Sequence, residues 1–266
     1  MFSQIVWVLV LTFLINLIST LSYSVRIVGI RTRKIAVSFA LFNVLVLVSR
    51  TANGFQAPVL ANIIEKNIRT HGIDPINQFY WILSMTSVST LVGALLIPSF
   101  QRLFSHAVVH FSHYKSMPKL IAAGFSPAGF TLIRSSTVAP AYLNISQLVS
   151  KEPIPWRVFV YNVIAVAVLT VGVLASLYAG YLNPSLRTTS SNLSSVINGL
   201  ATILMFLFID PYLSLLTDEV TEGKYQESAF RRQVVLMVLA RLLGTILAQI
   251  IFLPAAQLIV KIAESM

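Results

Sequence analysis

The chain has 266 residues, of which 56% are hydrophobic and only 11% are charged. A soluble domain carries about 25% charged residues, so this composition excludes a water-soluble protein. Lysine and arginine outnumber acidic residues by 19 to 9, but these cations punctuate long apolar runs instead of sharing one polar face, which excludes a nucleic-acid-binding protein. The sequence therefore predicts an all-α integral membrane protein that crosses the bilayer several times.

Six segments have the roughly 20 mainly apolar residues that a membrane-spanning helix needs. They are Ile5–Val25, Ile35–Leu60, Tyr80–Phe100, Val158–Leu182, Leu193–Leu216 and Val234–Val260. The first is interpreted as a retained span, because no basic residues precede it and no small-residue cleavage site follows it. Together the six spans predict a single membrane domain over residues 1–266.

The stretch Leu120–Val149 is also apolar, but Pro127, Pro140 and Arg134 interrupt it. With six spans and both termini outside, 13 cations lie on the inner side and 4 on the outer side. A seventh crossing here would leave 9 inside and 7 outside. The excess of cations on cytoplasmic loops therefore favours six crossings. We expect interfacial or re-entrant helices in the long third loop, residues 102–156.

The second span carries polar residues that lipid would not tolerate. Arg50 lies about 22 Å from the inner end of that helix at 1.5 Å per residue, and Asn43 and Asn53 project to the same side. An ionisable residue inside a span usually faces a protein-lined cavity and marks a functional site. The alternative is that Arg50 snorkels to the outer surface or pairs with backbone carbonyls.

Two further charges, Asp210 and Arg241, fall in the fifth and sixth spans at a similar predicted depth. An ion pair between them would lower the cost of burying either charge. Alternatively, the fifth span ends near Ile209, which would leave Asp210 and Pro211 in an interfacial turn.

Guanidinium groups bind phosphate through two parallel hydrogen bonds. If Arg50 and Arg241 face one cavity at different depths, they would guide an anionic head group across the hydrocarbon layer. They are the predicted substrate-binding residues together with Asn53, and Asn43 and Arg134 are weaker candidates.

Gly172, Ser176 and Gly180 recur every four residues in the fourth span and are predicted to pack against another helix of the same chain, or alternatively of a second copy. The histidine cluster, His106, His110 and His113, is better explained by a basic interfacial helix than by a metal site, because no carboxylate accompanies it. No nucleotide-binding loop, paired intramembrane carboxylates or cysteine is present, so neither catalysis nor a cofactor is expected.

Three segments resemble the Amj family of bacterial lipid II flippases. They are Ser22–Pro58, Gly124–Phe130 and Arg231–Thr245, and the resemblance is strongest over Arg31–Asn53. It implies transport of lipid II, the undecaprenyl-pyrophosphate-linked disaccharide-pentapeptide, from the inner to the outer leaflet of the bacterial cytoplasmic membrane. The family is unrelated in sequence to the larger flippase MurJ and can substitute for it.

Other functions remain open at this stage. The main alternative is an ion or small-anion channel or transporter that uses the same intramembrane arginines. A polyprenyl-phosphate enzyme and a non-transporting scaffold for wall proteins are the others. Because six spans leave little room for a disaccharide-peptide head group, the sequence favours either a lateral groove or a homodimer that frames the path.

Overall fold

The computed structural model describes residues 2–70, 72, 74–114, 116, 119, 123–124, 126–138 and 154–266. The regular elements in these ranges are helical. They are α1 (Phe2–Thr32), α2 (Ile35–Arg69), α3 (Ile76–Tyr114), α4 (Pro127–Ser136), α5 (Trp156–Leu182), α6 (Arg187–Leu204), α7 (Asp210–Thr221) and α8 (Glu227–Glu264), with a 3₁₀ turn at Pro184–Leu186 and a π-helical segment at Met205–Ile209.

Six helices among the described residues are long and apolar enough to cross a membrane, which confirms the six predicted spans. Each predicted segment lies inside one of them, but the helices extend further. α3, for example, has 39 residues and is therefore about 58 Å long, against a hydrocarbon core of about 30 Å. Hydropathy detects only the part of a helix that lipid surrounds, whereas backbone hydrogen bonding continues beyond it.

The fifth span is one long helical stretch from Pro184 to Thr221 that contains the π-helical segment. Pro211 has no backbone N–H, and its ring crowds the carbonyl group four residues earlier. The extra residue of a π turn relieves such a conflict without ending the helix. The alternative of a turn at Asp210 and Pro211 is therefore wrong, because the helix continues past both residues.

Side-chain contacts define the two ends of the bundle. At one end, the Arg31 guanidinium donates hydrogen bonds to Glu227 Oε1 at 2.9 Å and to Gln101 Oε1 at 3.2 Å. At the other end, the Tyr178 hydroxyl donates to the Asp74 carboxylate at 3.1 Å. We call these the Arg31 end and the Asp74 end. Thus α1 and α3 finish at the Arg31 end, and α8 begins there.

The long third loop leaves and returns at the Arg31 end, as six crossings require, because α5 also begins there. In this loop, α4 packs against α3, and Val138 donates its backbone N–H to Ser99 Oγ at 2.9 Å. Most of Leu120–Val149 outside α4 lies beyond the described residues, and with it the prediction that the stretch re-enters the membrane.

The six spans form two units of three helices with the same packing. In the first, α1 packs along both α2 and α3, which barely contact each other. In the second, α5 packs in the same way along α6 and α8. Because α1 ends where α5 begins, the second unit is inverted relative to the first.

In each unit, one glycine allows two of the three helices to pack closely. A Cβ atom on Gly93 of α3 would lie 2.8 Å from Cβ of Thr20 in α1. A Cβ atom on Gly244 of α8 would lie 2.8 Å from the Val163 carbonyl oxygen in α5. Both distances are below van der Waals contact, so the close approach of each pair of helices requires glycine.

Candidate functional site

A cavity of about 580 Å³ lies between the two units. Its walls come mainly from α1, α2, α5 and the π-helical segment, with Arg241 contributed by α8. The walls combine apolar surface with many polar side chains. These are Thr12, Asn16, Ser19, Ser22, Tyr23, Arg26, Asn43, Ser49, Asn53, Gln56, Thr86, Thr170, Asn198, Asp210 and Arg241.

The cavity is closed towards the Asp74 end and reaches the Arg31 end. Between the cavity and the Asp74 end, Phe79 stacks on Phe252 at 5.5 Å between ring centroids and meets Tyr178 edge-on at 5.6 Å. These rings belong to the largest buried apolar cluster of the described residues. At the Arg31 end the cavity wall includes Asp210, whose side chain is 43% exposed. The cavity therefore reaches the surface of the bundle on that side.

Arg241 is buried in the cavity wall, and neutral oxygen atoms hold its guanidinium group. Its Nε donates to Thr20 Oγ1 at 3.2 Å, and its Nη2 donates to Asn16 Oδ1 at 3.1 Å. Among the described residues, none of its contacts is a salt bridge to a carboxylate. A buried charge without a counter-ion is costly, so this position is suited to an anionic ligand.

The predicted ion pair between Asp210 and Arg241 is wrong. Asp210 Oδ1 lies 3.5 Å from Nη2 of Arg26 in α1. The prediction rested only on the similar depths of Asp210 in the fifth span and Arg241 in the sixth span. In the bundle, α1 packs against both α7 and α8, so side chains of α1 serve as partners for both charges.

The π-helical segment forms part of the wall that carries this ion pair. Met205, Phe206 and Ile209 line the cavity beside Asp210. π turns inside α-helices occur frequently at functional sites. Here the π-helical segment ends at Ile209, directly before Asp210 and Pro211. A distortion caused by proline thus lies where an acidic side chain meets the cavity.

The candidate residues of α2 divide between the cavity and the protein surface. Asn43 and Asn53 line the cavity. Arg50 is exposed and is not among the described residues that line it, so the expectation that Arg50 and Arg241 face one cavity is wrong. Ser49 and Gln56 of the same helix are buried and line the cavity. The exposed position of Arg50 is compatible with the snorkelling alternative.

Arg134 is also exposed, on α4, and does not line the cavity in the described part of the chain. The histidines His106 and His110 are exposed on α3, and the side chain of His113 lies outside what the structure describes. No group of three potential metal ligands occurs among the described residues. Among the described residues, the cavity walls therefore come from the membrane-spanning helices, and none of the described residues of the long third loop lines them.

Sequence reasoning missed the contribution of α1. Thr12, Asn16, Thr20 and Ser24 are all buried and repeat every four residues along this helix. Gln56 of α2 donates to Thr12 Oγ1 at 2.7 Å. The signal was present in the sequence, because polar residues at this spacing in an apolar span share one face.

A second missed residue is Asn198 of α6, whose buried Oδ1 has no hydrogen-bond partner among the described residues. This atom lies only 2.5 Å from the place that a Cβ atom on Gly172 would take. A Cβ atom on Gly180 would similarly lie 2.8 Å from Cγ of Arg187 in α6. The small-residue stripe of α5 thus packs against α6 of the same chain, as predicted.

Comparison with known proteins adds two findings. A family profile described as "Amj: Alternate to MurJ" matches residues 11–263. The lipid II flippase Amj of Bacillus subtilis (strain 168) is 36% identical over 255 residues, which cover 96% of this chain and 94% of that protein. No solved structure matches the chain significantly.

Proposed function

This chain belongs to the Amj family, and from that membership we infer that it is a lipid II flippase. It moves the undecaprenyl-pyrophosphate-linked precursor of peptidoglycan from the inner to the outer leaflet of the bacterial cytoplasmic membrane. The observation that carries this conclusion is the 36% identity, over almost the whole of both chains, to a protein named for that activity. A flippase is a transporter, and its task requires no bond to be made or broken.

The cavity has the mixed chemistry that such a substrate requires. Its polar wall suits the sugars and the pyrophosphate, whereas the lipid tail has to remain in the bilayer. α2 and α6 both line the cavity, but they do not pack along each other. We propose that the head group enters the cavity between these two helices while the tail stays in lipid.

We propose that Arg241 binds the pyrophosphate inside the cavity, with Asn53 and Asn43 as further contacts. Arg241 supports this role because its guanidinium is buried and is held only by neutral oxygen atoms. A phosphate group would provide the missing negative charge through charge-assisted hydrogen bonds.

The proposed orientation places the Arg31 end in the cytoplasm and both termini outside. The excess of cations at this end of the six-span arrangement, 13 against 4, supports it. In this orientation, the cavity faces the compartment in which lipid II is assembled.

We also propose that two copies of the chain frame the transport path. A cavity of about 580 Å³ suits a ligand of drug size, whereas a disaccharide-pentapeptide is larger. The mass of the protein in lipid nanodiscs tests this proposal. A particle that contains only one copy would contradict the homodimer and favour a lateral groove in a single chain.

The decisive experiment measures lipid II at the outer leaflet of cells whose only flippase candidate is this protein. An externally added toxin that cleaves lipid II reports its exposure. We expect cleavage with the wild type, little with Arg241→Ala, and wild-type cleavage with Arg50→Ala at matched membrane abundance. No cleavage with correctly inserted wild-type protein would overturn the flippase assignment. Full cleavage with Arg241→Ala would overturn only the role of that residue.

A further inference from the structure

The ion pair between Arg26 and Asp210 is asymmetric, because one partner is fixed and the other is loosely held. The Arg26 side chain is 14% exposed; it donates to Ser214 Oγ at 3.0 Å and lies 5.1 Å from the ring centroid of Phe39. The Asp210 side chain is 43% exposed, and its one polar contact in the described part of the chain is the 3.5 Å approach to Arg26. The guanidinium is therefore positioned independently of the carboxylate.

Such a pair contributes little to stability. Its single contact is long and its carboxylate is partly exposed, and ion pairs of this kind contribute little to the free energy of unfolding. A pyrophosphate carries more charge than a carboxylate and can accept two parallel hydrogen bonds from one guanidinium group. An anionic head group that enters the cavity at the Arg31 end would therefore compete successfully with Asp210 for Arg26.

We propose that Arg26 captures the pyrophosphate at the mouth of the cavity, and that Asp210 is a displaceable counter-ion that the substrate replaces. This inference rests on the proposed flippase function and adds a first binding position to it. The counter-ion keeps Arg26 neutralised while the cavity is empty. Asp210 also lowers the affinity of Arg26 for anions, because every anion that binds there has to displace the Asp210 carboxylate.

The geometry connects this first position with the one proposed at Arg241. Arg26 lies six residues beyond Thr20 on α1, a rise of about 9 Å, and Thr20 contacts Arg241 directly. Ser22 and Tyr23 line the cavity between these two levels. The two arginines thus form successive binding positions along one wall, with hydroxyl groups between them.

The test is a binding measurement with full-length protein in nanodiscs and undecaprenyl pyrophosphate as the probe. The Asp210→Asn variant should bind the probe about two- to fivefold more tightly, since it no longer competes for Arg26. The Arg26→Gln variant should bind it about tenfold more weakly. The double variant should resemble Arg26→Gln, because Asp210 acts only through Arg26.

The matched control is Glu222→Gln, which removes one negative charge from the same end of the bundle, where Glu222 pairs with Lys224. Its affinity should equal that of the wild type. If Glu222→Gln tightens binding as much as Asp210→Asn, the effect is one of net charge and the proposal is wrong. Weaker binding by Asp210→Asn in a protein of unchanged thermal stability would also overturn it, since the pair would then support the site structurally.

Two further probes separate this proposal from the assigned function. Inorganic pyrophosphate should bind much more weakly than the lipid, because the lipid chain contributes to affinity. Equal affinities would identify a free-anion site and overturn the capture of a lipid head group. If wild-type protein binds neither undecaprenyl pyrophosphate nor lipid II, the flippase assignment itself fails. If it binds both and Arg26→Gln binds them equally well, only the role of Arg26 fails.

Discussion

The side-chain amide of Asn162 in α5 donates a hydrogen bond to the backbone oxygen of Met237 in α8 at 3.0 Å. The carbonyl oxygen of the same amide accepts a hydrogen bond from the Tyr23 hydroxyl of α1 at 3.1 Å. Asn162 is completely buried. One amide thus joins two helices of the second unit to the central helix of the first.

Replacing Asn162 should therefore loosen the contact between the two units. We expect Asn162→Ala to lower the free energy of unfolding by about 1–3 kcal/mol, because the buried Tyr23 hydroxyl loses its acceptor. Thermal unfolding in detergent micelles measures the change. The control is Asn192→Ala, at an exposed position of α6, which should leave the melting temperature unchanged. Equal melting temperatures for the two variants would contradict this role.

The close approach of α8 to α5 predicts a strong effect of a single methyl group. We expect Gly244→Ala to destabilise the protein by about 1–3 kcal/mol, because the added Cβ atom overpacks the helix contact. The matched control is Gly199→Ala in α6, where a Cβ atom meets nothing within 4 Å and alanine favours the helix. Melting temperatures compare the variants. A Gly244→Ala protein as stable as Gly199→Ala would show that the helices can separate at no cost.

The proposed binding of the substrate by Arg241 should depend on Asn16, the neutral hydrogen-bond acceptor in α1. We expect Asn16→Leu to reduce lipid II exposure at the outer leaflet, because the Nη2 atom loses the oxygen that orients it. Asn16→Asp should reduce exposure as well, because a permanent carboxylate would neutralise Arg241 and compete with the substrate. Toxin cleavage at matched abundance measures both variants. Full activity of Asn16→Asp would contradict the binding of an anion at Arg241.

The ion pair between Arg187 and Glu65, 3.3 Å apart, connects α6 to α2 at the Asp74 end. In the proposed orientation, release of a head group to the outer leaflet would require these helices to separate there. Since the chain contains no cysteine, Glu65→Cys with Arg187→Cys introduces one defined pair. We expect a short thiol cross-linker to stop lipid II exposure and a reductant-cleavable version to restore it after reduction.

The control for this experiment is a second pair at the same end. Asn183 and Glu264 are hydrogen-bonded at 3.1 Å and join the end of α5 to α8, two helices that pack together along their lengths. A cross-link between cysteines at these positions should be tolerated. If both cross-links leave activity intact, separation of α2 from α6 is not required for transport.

The number and position of the spans were predictable, because burial in lipid acts on each apolar segment separately. The partners of the charged residues were not predictable in this way. Asp210 and Arg241 were compared by depth, but a helix that comes first in the chain packs against both, and only the tertiary arrangement reveals that.

The error at Arg50 has a different physical origin. The seven-residue spacing from Asn43 predicts a common face, and Asn43 lines the cavity, but the Arg50 side chain is exposed and is not among the described residues that line it. A long arginine side chain can carry its charge away from the helix face on which its Cα atom lies, and the sequence spacing alone does not fix that direction. Asn43 and Asn53 have short side chains, and both line the cavity.

The inverted packing of the two units has an implication for the origin of the fold. Two identical three-helix chains inserted into the membrane in opposite orientations would pack in the same way, with α1 and α5 as equivalent central helices. Such an ancestral pair would present the same residues to both leaflets. Fusion into one chain lets the halves diverge, so that Arg26 comes from one half, and Asp210 and Arg241 come from the other. The cavity therefore presents different charged residues on its two halves, which two identical chains could not do.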